Sequence, residues 1–156
     1  MLRSKGLYDF LVDLGQRESS SNYEIKNNLG FMGRWQFGKP RLYDLGLSLD
    51  GWHPKDQPQK RNISWIEFKK DTLLQDMVML KHVRDLKYRI LKNPREYKIG
   101  EVVNGIEITL SGLVAGSHLK GIGGVQQFLK GQDNADAYGT TISSYIKQFS
   151  GYSLVE

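Results

Sequence analysis

No cysteine occurs in this chain of 156 residues. That excludes disulfides and thiolate metal sites, and it leaves the protein able to work in a reducing or an oxidising compartment. Long apolar runs are missing too, and none approaches the roughly 18 residues that a membrane span needs. The opening residues Met1, Leu2, Arg3, Ser4, Lys5 and Gly6 hold no apolar core of signal-peptide length, so export is expected to use another route or to follow trimming. Repeats, low-complexity tracts and a clear linker are also lacking. With 39% hydrophobic and 25% charged residues the composition is that of an ordinary globular protein. A single domain over residues 1–156 is expected, burying roughly two thirds of the unfolded surface at this size.

Acidic residues are the minority charge. Lys and Arg number 22 against 17 Asp and Glu, a net charge of +5. This favours a polyanionic partner, whether nucleic acid, an anionic membrane surface or a bacterial wall carrying peptide carboxylates. Phosphate-binding signatures are missing: there is no P-loop and no Gly-x-Gly-x-x-Gly, and Gly121, Gly123 and Gly124 follow no strand and read as a helix corner. His53, His82 and His118 lack zinc spacing. Asp133-Asn134-Ala135-Asp136 looks like the opening of a calcium loop, yet Ala135 stands at a ligand position and Ser144 where the bidentate Glu is required. No metal and no cofactor are expected.

What is present is helical periodicity. Leu7, Phe10, Leu11 and Leu14 follow the i, i+3, i+4, i+7 pattern of an amphipathic helix, and one more turn lands on Glu18. Ser19, Ser20, Ser21 and Asn22 then compete with the backbone for hydrogen bonds and end it. Residues 23–36 are aromatic and polar with turn points at Gly30 and Gly33, which predicts an irregular β excursion. Pro40 opens a short helix bearing Leu42 and Leu45. Residues 50–62 read as an exposed, mobile loop. A long helix from Ser64 or Asp71 to Lys92 is predicted to bury Met79, Val83, Leu86 and Ile90, with Leu73, Met77 and Leu80 widening that face. Asn104-Gly105 between apolar residues is the strongest short hairpin signal in the chain. A helix capped by Thr109 or Ser111, an interruption at the 121–124 glycines, and a last helix with Ile142, Tyr145, Ile146 and Phe149 complete an α+β chain that is mainly α, with β excursions around residues 23–37 and 100–108.

Glu18 carries the chemistry. A carboxylate on an apolar stripe loses solvation, and the negative end of a helix dipole disfavours its charge further. Glycoside cleavage needs such a carboxyl in its protonated form, because the departing sugar oxygen must receive a proton. Taken alone, a helix-end glutamate is more often simply solvated. Its neighbours change that weighting. Arg17-Glu18-Ser19-Ser20-Ser21-Asn22-Tyr23, Asn28-Leu29-Gly30 and Gly33-Arg34-Trp35-Gln36-Phe37 together resemble the lytic transglycosylase and goose-type lysozyme families, over about a fifth of the chain. In these a Glu-Ser pair ends a helix and a Gly-x-x-Gln segment follows.

The resemblance implies a lysozyme-like fold with Glu18 as general acid and base. It also implies Ser19 as a supporting or sugar-contacting hydroxyl, Tyr23 beside the substrate, and Gln36 on the floor of the cleft. The C-terminal half is similar to a related bacterial and phage branch through Ser111-Gly112-Leu113, Ala115-Gly116-Ser117-His118-Leu119 and Asp136-Ala137-Tyr138-Gly139-Thr140. Many transglycosylases carry Ala-Tyr-Asn in the last segment, with the tyrosine near the acid. Here Gly139 replaces the Asn, and Tyr138 and His118 are secondary substrate-binding candidates. Tyr23, Trp35, Phe37, Trp52 and Trp65 supply aromatic faces for sugars, and Arg34, Lys39 and Arg41 supply cations for peptide or lactyl carboxylates.

The activity implied is cleavage of peptidoglycan between N-acetylmuramic acid and N-acetylglucosamine. The lytic route, in which the muramyl 6-hydroxyl is the nucleophile, needs one Glu, whereas an inverting muramidase needs a second carboxylate about 6.5–9.5 Å away. Glu24, Asp44, Asp50, Asp56 and Glu67 show no feature that aims them at a cleft, which favours the lytic route over hydrolysis. The expected protein acts on the cell wall as a monomer, with peptidoglycan as its partner and an immunity protein as a further one if it is a secreted effector. The rivals are a non-catalytic wall-binding module and a nucleic-acid-binding domain. Against the second, Lys55, Lys60 and Arg61 are diluted by Asp56 and Pro58 rather than clustered along one element, so no nucleic acid is expected.

Overall fold

The computed structural model describes residues 5–156; residues 1–4, part of the opening segment read above for a signal sequence, lie outside them. The elements are α1 (Leu7–Ser19), α2 (Lys39–Asp44), β1 (Leu47–Leu49), β2 (Arg61–Ile63), α3 (Trp65–Lys70), α4 (Thr72–Leu91), β3 (Val102–Val103), β4 (Ile106–Glu107), α5 (Leu110–Leu129) and α6 (Ile142–Gln148). The protein is therefore α+β and mainly α. Its contacts divide into two compact units, one formed by Val12–His82 and the other by the residues up to Leu11 with Val83–Glu156. The chain passes between them within α1 and within α4.

In the unit Val12–His82, the 23–37 excursion forms no regular strand. It is held by isolated bridges, Lys26 with Met32 and Met32 with Phe37. Pro in the first turn of α2 sets its backbone, and Leu42 and Tyr43 are buried. The segment expected to be a free loop over residues 50–62 is tethered at its end: β2 pairs in parallel with β1, Leu47 opposite Arg61 and Leu49 opposite Ile63. This pairing is invisible to alternation because Leu47, Ser48 and Leu49 are all buried. Of the two starts expected for the long helix, the structure takes the one at Asp71, and Ser64 begins a separate short helix. Ser64 caps α3 by accepting the Glu67 N–H, and Asp71 separates α3 from α4, where its carboxylate accepts the Leu74 N–H. Met79, Val83, Leu86 and Ile90 are buried as expected, but the face is not widened as expected. Leu73 and Met77, expected to widen it, are 74% and 65% exposed, while Gln75, Val78, Met79 and His82 are buried.

In the other unit, Asn104 and Gly105 take φ of 50° and 77°, the left-handed pair of a tight turn between β3 and β4. Thr109 caps α5 by accepting the Gly112 N–H, and α5 kinks at Gly121. The two helices α5 and α6 meet through small residues. A Cβ on Gly112 would lie 2.7 Å from the Ile146 carbonyl oxygen, so only hydrogen fits there. Ser111 donates its hydroxyl to the Phe149 carbonyl at 2.6 Å and accepts the Tyr152 N–H at 3.0 Å, fixing the chain after α6. Phe10 meets Phe149 and Tyr152 edge-on, each at 5.7 Å between ring centroids.

Gly112→Ala is expected to destabilise the protein by about 1–3 kcal/mol through this overpacking. Gly123→Ala, in the same helix with nothing within 4 Å of its Cβ position, is expected to stabilise it by about 0.5–1 kcal/mol. Urea denaturation of the two variants beside the wild type checks both signs.

Candidate active site

Helix α1 ends as its serines require. Ser20 and Ser21 adopt φ of 55° and 63°, and their N–H groups close on the carbonyls of Gln16 and Gly15. This stops the helix at Ser19 and leaves Glu18 half-buried in its last turn. Ser19 is 8% exposed. Its hydroxyl donates to the Arg34 carbonyl at 2.6 Å, and its oxygen accepts the Asn22 N–H at 3.0 Å. Of the two roles that the resemblance implies for Ser19, this geometry fits the supporting one: the hydroxyl fastens the 23–37 excursion to the residue after Glu18.

The excursion has no regular ladder, and side chains supplement its turn hydrogen bonds. Gln75, 1% exposed, accepts the Arg34 N–H through Oε1 at 2.9 Å. Through Nε2 it donates to the carbonyls of Tyr23 at 3.0 Å and Phe68 at 2.9 Å. Its amide passes so close to Gly33 that a Cβ there would collide with Oε1, and Gly33 also takes φ of 80°. Both facts require glycine at this position. Gln36 sits at φ of 56°, with Nε2 donating to the Gly33 carbonyl at 2.9 Å and towards that of Ile25 at 3.3 Å. The Gly-x-x-Gln segment is thus a turn closed by its own glutamine.

Arg34 projects from this turn between two rings, its guanidinium carbon 4.8 Å from the Trp35 centroid and 5.3 Å from that of Tyr23. Its Nη1 donates to the Tyr23 hydroxyl at 2.9 Å, and that hydroxyl donates to Asp76 Oδ1 at 2.7 Å. Burial, followed by the hydrogen bond to Asp76, raises the Tyr23 pKa above its ordinary 10.0 against the opposing effect of Arg34. Tyr23 therefore stays a neutral donor in a fixed Arg34, Tyr23, Asp76 chain.

Glu18, Ser19, Tyr23 and Gln36 thus belong to one unit, and the last three share a hydrogen-bonded frame with Arg34 and Gln75. His118, half-buried on α5, and Tyr138, 58% exposed in the loop before α6, belong to the other unit. Of the cations expected to meet carboxylates, Arg34 and Arg41 are engaged internally and Lys39 pairs at the surface. Arg34 is held as described, Lys39 lies 3.9 Å from Asp50, and Arg41 donates to His82 Nδ1 at 2.9 Å and lies 3.8 Å from Asp44. Trp35 and Phe37 are core residues, 2% and 3% exposed, while Tyr23, Trp52 and Trp65 keep partial exposure.

The calcium-like loop is organised by its own backbone. Asp133 accepts the N–H and hydroxyl of Ser143, and Asp136 accepts the N–H groups of Tyr138 and Thr140. Among the described residues no group of three or more His, Asp or Glu is placed to hold a metal ion.

Gln75 and Asp76 were not anticipated from sequence. A signal existed, since Gln75 occupies the helical position one turn before buried Met79, where a polar residue must find partners. Gln75→Leu leaves the Arg34 N–H and two carbonyls without their partner, and a loss of about 2–4 kcal/mol is expected. Gly33→Ala should destabilise by a similar amount, while Gly30→Ala, with open space at its Cβ position, should cost less. Thermal denaturation of the three variants tests this order. Tyr23 adds a pH dependence. Because its folded pKa is raised, its contribution is complete below the unfolded value of 10.0 and is lost as pH rises through the folded one. Wild-type stability should fall more steeply than that of Tyr23→Phe above pH 10.0, read by urea midpoints across an alkaline series.

Compared with protein-family models, with curated proteins and with solved structures, the chain has no match in any of the three.

Proposed function

We propose that this protein cleaves the glycan strands of bacterial peptidoglycan between N-acetylmuramic acid and N-acetylglucosamine, as a lytic transglycosylase of lysozyme-like fold. The observation that carries this reading is the end of α1. Glu18 stands half-buried in the last helical turn, and Ser19 ties the Gly33–Gln36 turn to that point through the Arg34 carbonyl. A general acid must be held against a rigid wall if its proton is to meet one oxygen of a long polymer.

In the proposed reaction the Glu18 carboxyl gives its proton to the glycosidic oxygen as the muramyl C1–O bond breaks, leaving positive charge shared between C1 and the ring oxygen. The Glu18 carboxylate then takes the proton of the muramyl 6-hydroxyl while that oxygen bonds to C1. The product is a 1,6-anhydromuramyl end, and Glu18 is again protonated. No water and no second carboxylate enter.

Four other acids of the Glu18 unit are engaged by neighbouring groups and are poor candidates for a second catalytic carboxylate. Asp76 is bound to Tyr23, Asp50 caps Trp65 and faces Lys39, Asp44 faces Arg41, and Glu67 accepts the Ser64 hydroxyl.

Incubating purified sacculi with the wild type and with Glu18→Gln, and identifying released muropeptides by mass spectrometry, tests the reading. Anhydromuramyl products from the wild type and a loss of at least about 1,000-fold in the variant are expected, since the proton transfer has no substitute. Reducing ends would make the enzyme a muramidase instead. No release by the wild type, or undiminished release by the variant, would overturn the proposal.

A further inference from the structure

The side chains that line the surface beside the end of α1 point to a second feature of the substrate. Ser20, Ser21, Asn22, Tyr23 and Glu24 form one wall of a hollow of about 480 Å³, and Lys69, Lys70 and Thr72 form the other. The first wall begins two residues after Glu18, so this hollow and the candidate acid are parts of the same turn. Its lining mixes polar and apolar surface in nearly equal parts, and the polar part includes hydroxyls, an amide and two ammonium groups.

The state of the two lysines is informative. Several other cations of this unit have internal partners. Arg34 is bound to Tyr23, Arg41 to His82, Lys60 to the Tyr43 carbonyl, and Lys81 to the Leu45 carbonyl. Lys69 and Lys70 have no ion pair or side-chain hydrogen bond among the described residues, although Glu24 lines the same hollow. Thr72 opens the 20-residue α4, whose positive end adds to the field there. Two ammonium groups without an internal partner, lining one concavity with the hydroxyls of Ser20 and Thr72, suit an anion with several acceptor oxygens.

We infer that the hollow formed by residues 20–24 with Lys69, Lys70 and Thr72 binds a carboxylate of the peptide stem that branches from the muramyl lactyl group. This rests on the reading of the protein as a peptidoglycan enzyme and names the part of the substrate that the basic residues serve. Arg34 and Arg41 are held within the fold and Lys39 faces Asp50 at the surface, and Lys69 and Lys70 take the role expected of them. Glu24 opposes the bound anion and tunes the site.

The test is direct binding of the soluble tripeptide L-alanyl-γ-D-glutamyl-meso-diaminopimelate, and of the same peptide with its carboxyls amidated, to the full chain by isothermal titration at low salt. The free acid should bind and the amidated peptide should bind about tenfold more weakly. Lys69→Gln/Lys70→Gln should show the same loss for the free acid, the sum of two partly exposed charge contacts. Lys69→Arg/Lys70→Arg should restore binding, and Glu24→Gln should strengthen it. Equal binding of the two peptides, or unchanged binding in the double glutamine variant, would overturn the inference, as would no binding at all. The readout needs no turnover. Peptide binding without muropeptide release would sink the catalytic reading alone, and muropeptide release with equal binding of both peptides would sink this site alone.

Discussion

In the unit that carries Glu18, a stretch of fifteen residues between α1 and α2 must be held in a fixed shape without a regular β-ladder, and one buried amide ties it to α4. Residues 23–37 make isolated bridges and turn hydrogen bonds such as Gly33 N–H to the Ile25 carbonyl, and side chains meet groups that these leave over, the Arg34 N–H and the Tyr23 carbonyl among them. Gln75 reaches from α4 to the Arg34 N–H and the Tyr23 carbonyl while also binding Phe68. Around it the same device recurs on a smaller scale: Asn22 accepts from Glu24, Asn27 accepts from Leu29 and Phe31, and Gln36 donates to Gly33. Amides suit this role because one planar group both donates and accepts. The abundance of Asn and Gln in this stretch is structural before it is anything else, and the Ser19 hydroxyl belongs to the same set.

How much of this the sequence disclosed depended on whether the deciding interaction was local. Helix α1 and its serine terminus, the Pro40 start of α2, the Asn104-Gly105 turn, the Thr109 cap and the glycine kink in α5 are all governed by residues within one turn of each other, and each was legible. The β1–β2 pair was not, because three consecutive buried residues carry no alternation and the partner strand lies among charges on the far side of a Pro-containing segment. The break at Asp71 was half legible, since Asp71 stood as one of two possible starts of the long helix and nothing local decided between it and Ser64. No Gly or Pro marks it, and only the cap to Leu74 shows that α4 begins anew, with Leu73 and Met77 turned outward.

The candidate site divides in the same way. Glu18 and Ser19 were readable because the helix register and the run of serines surround them. The partners that fix their surroundings lie some forty residues further on, in Gln75 and Asp76, and no local pattern links those positions to residues 19–36. Arg34 looked like a substrate cation in the sequence because its charge was visible and the flanking Tyr23 and Trp35 rings were not known to enclose it. Charge alone does not distinguish a structural guanidinium from a binding one; the presence of a partner does.

One consequence of the parallel pairing of β1 with β2 concerns how the chain can change over generations. Two strands running the same way must be joined by a connection that travels back along their length, and about a dozen residues is the least that suffices. Residues 50–60 make that return with no helix in it, close to this minimum. The segment has room to lengthen, since added residues raise the closure entropy only slowly, but almost none to shorten. Among descendants of this chain, insertions should accumulate in this segment while deletions are purged.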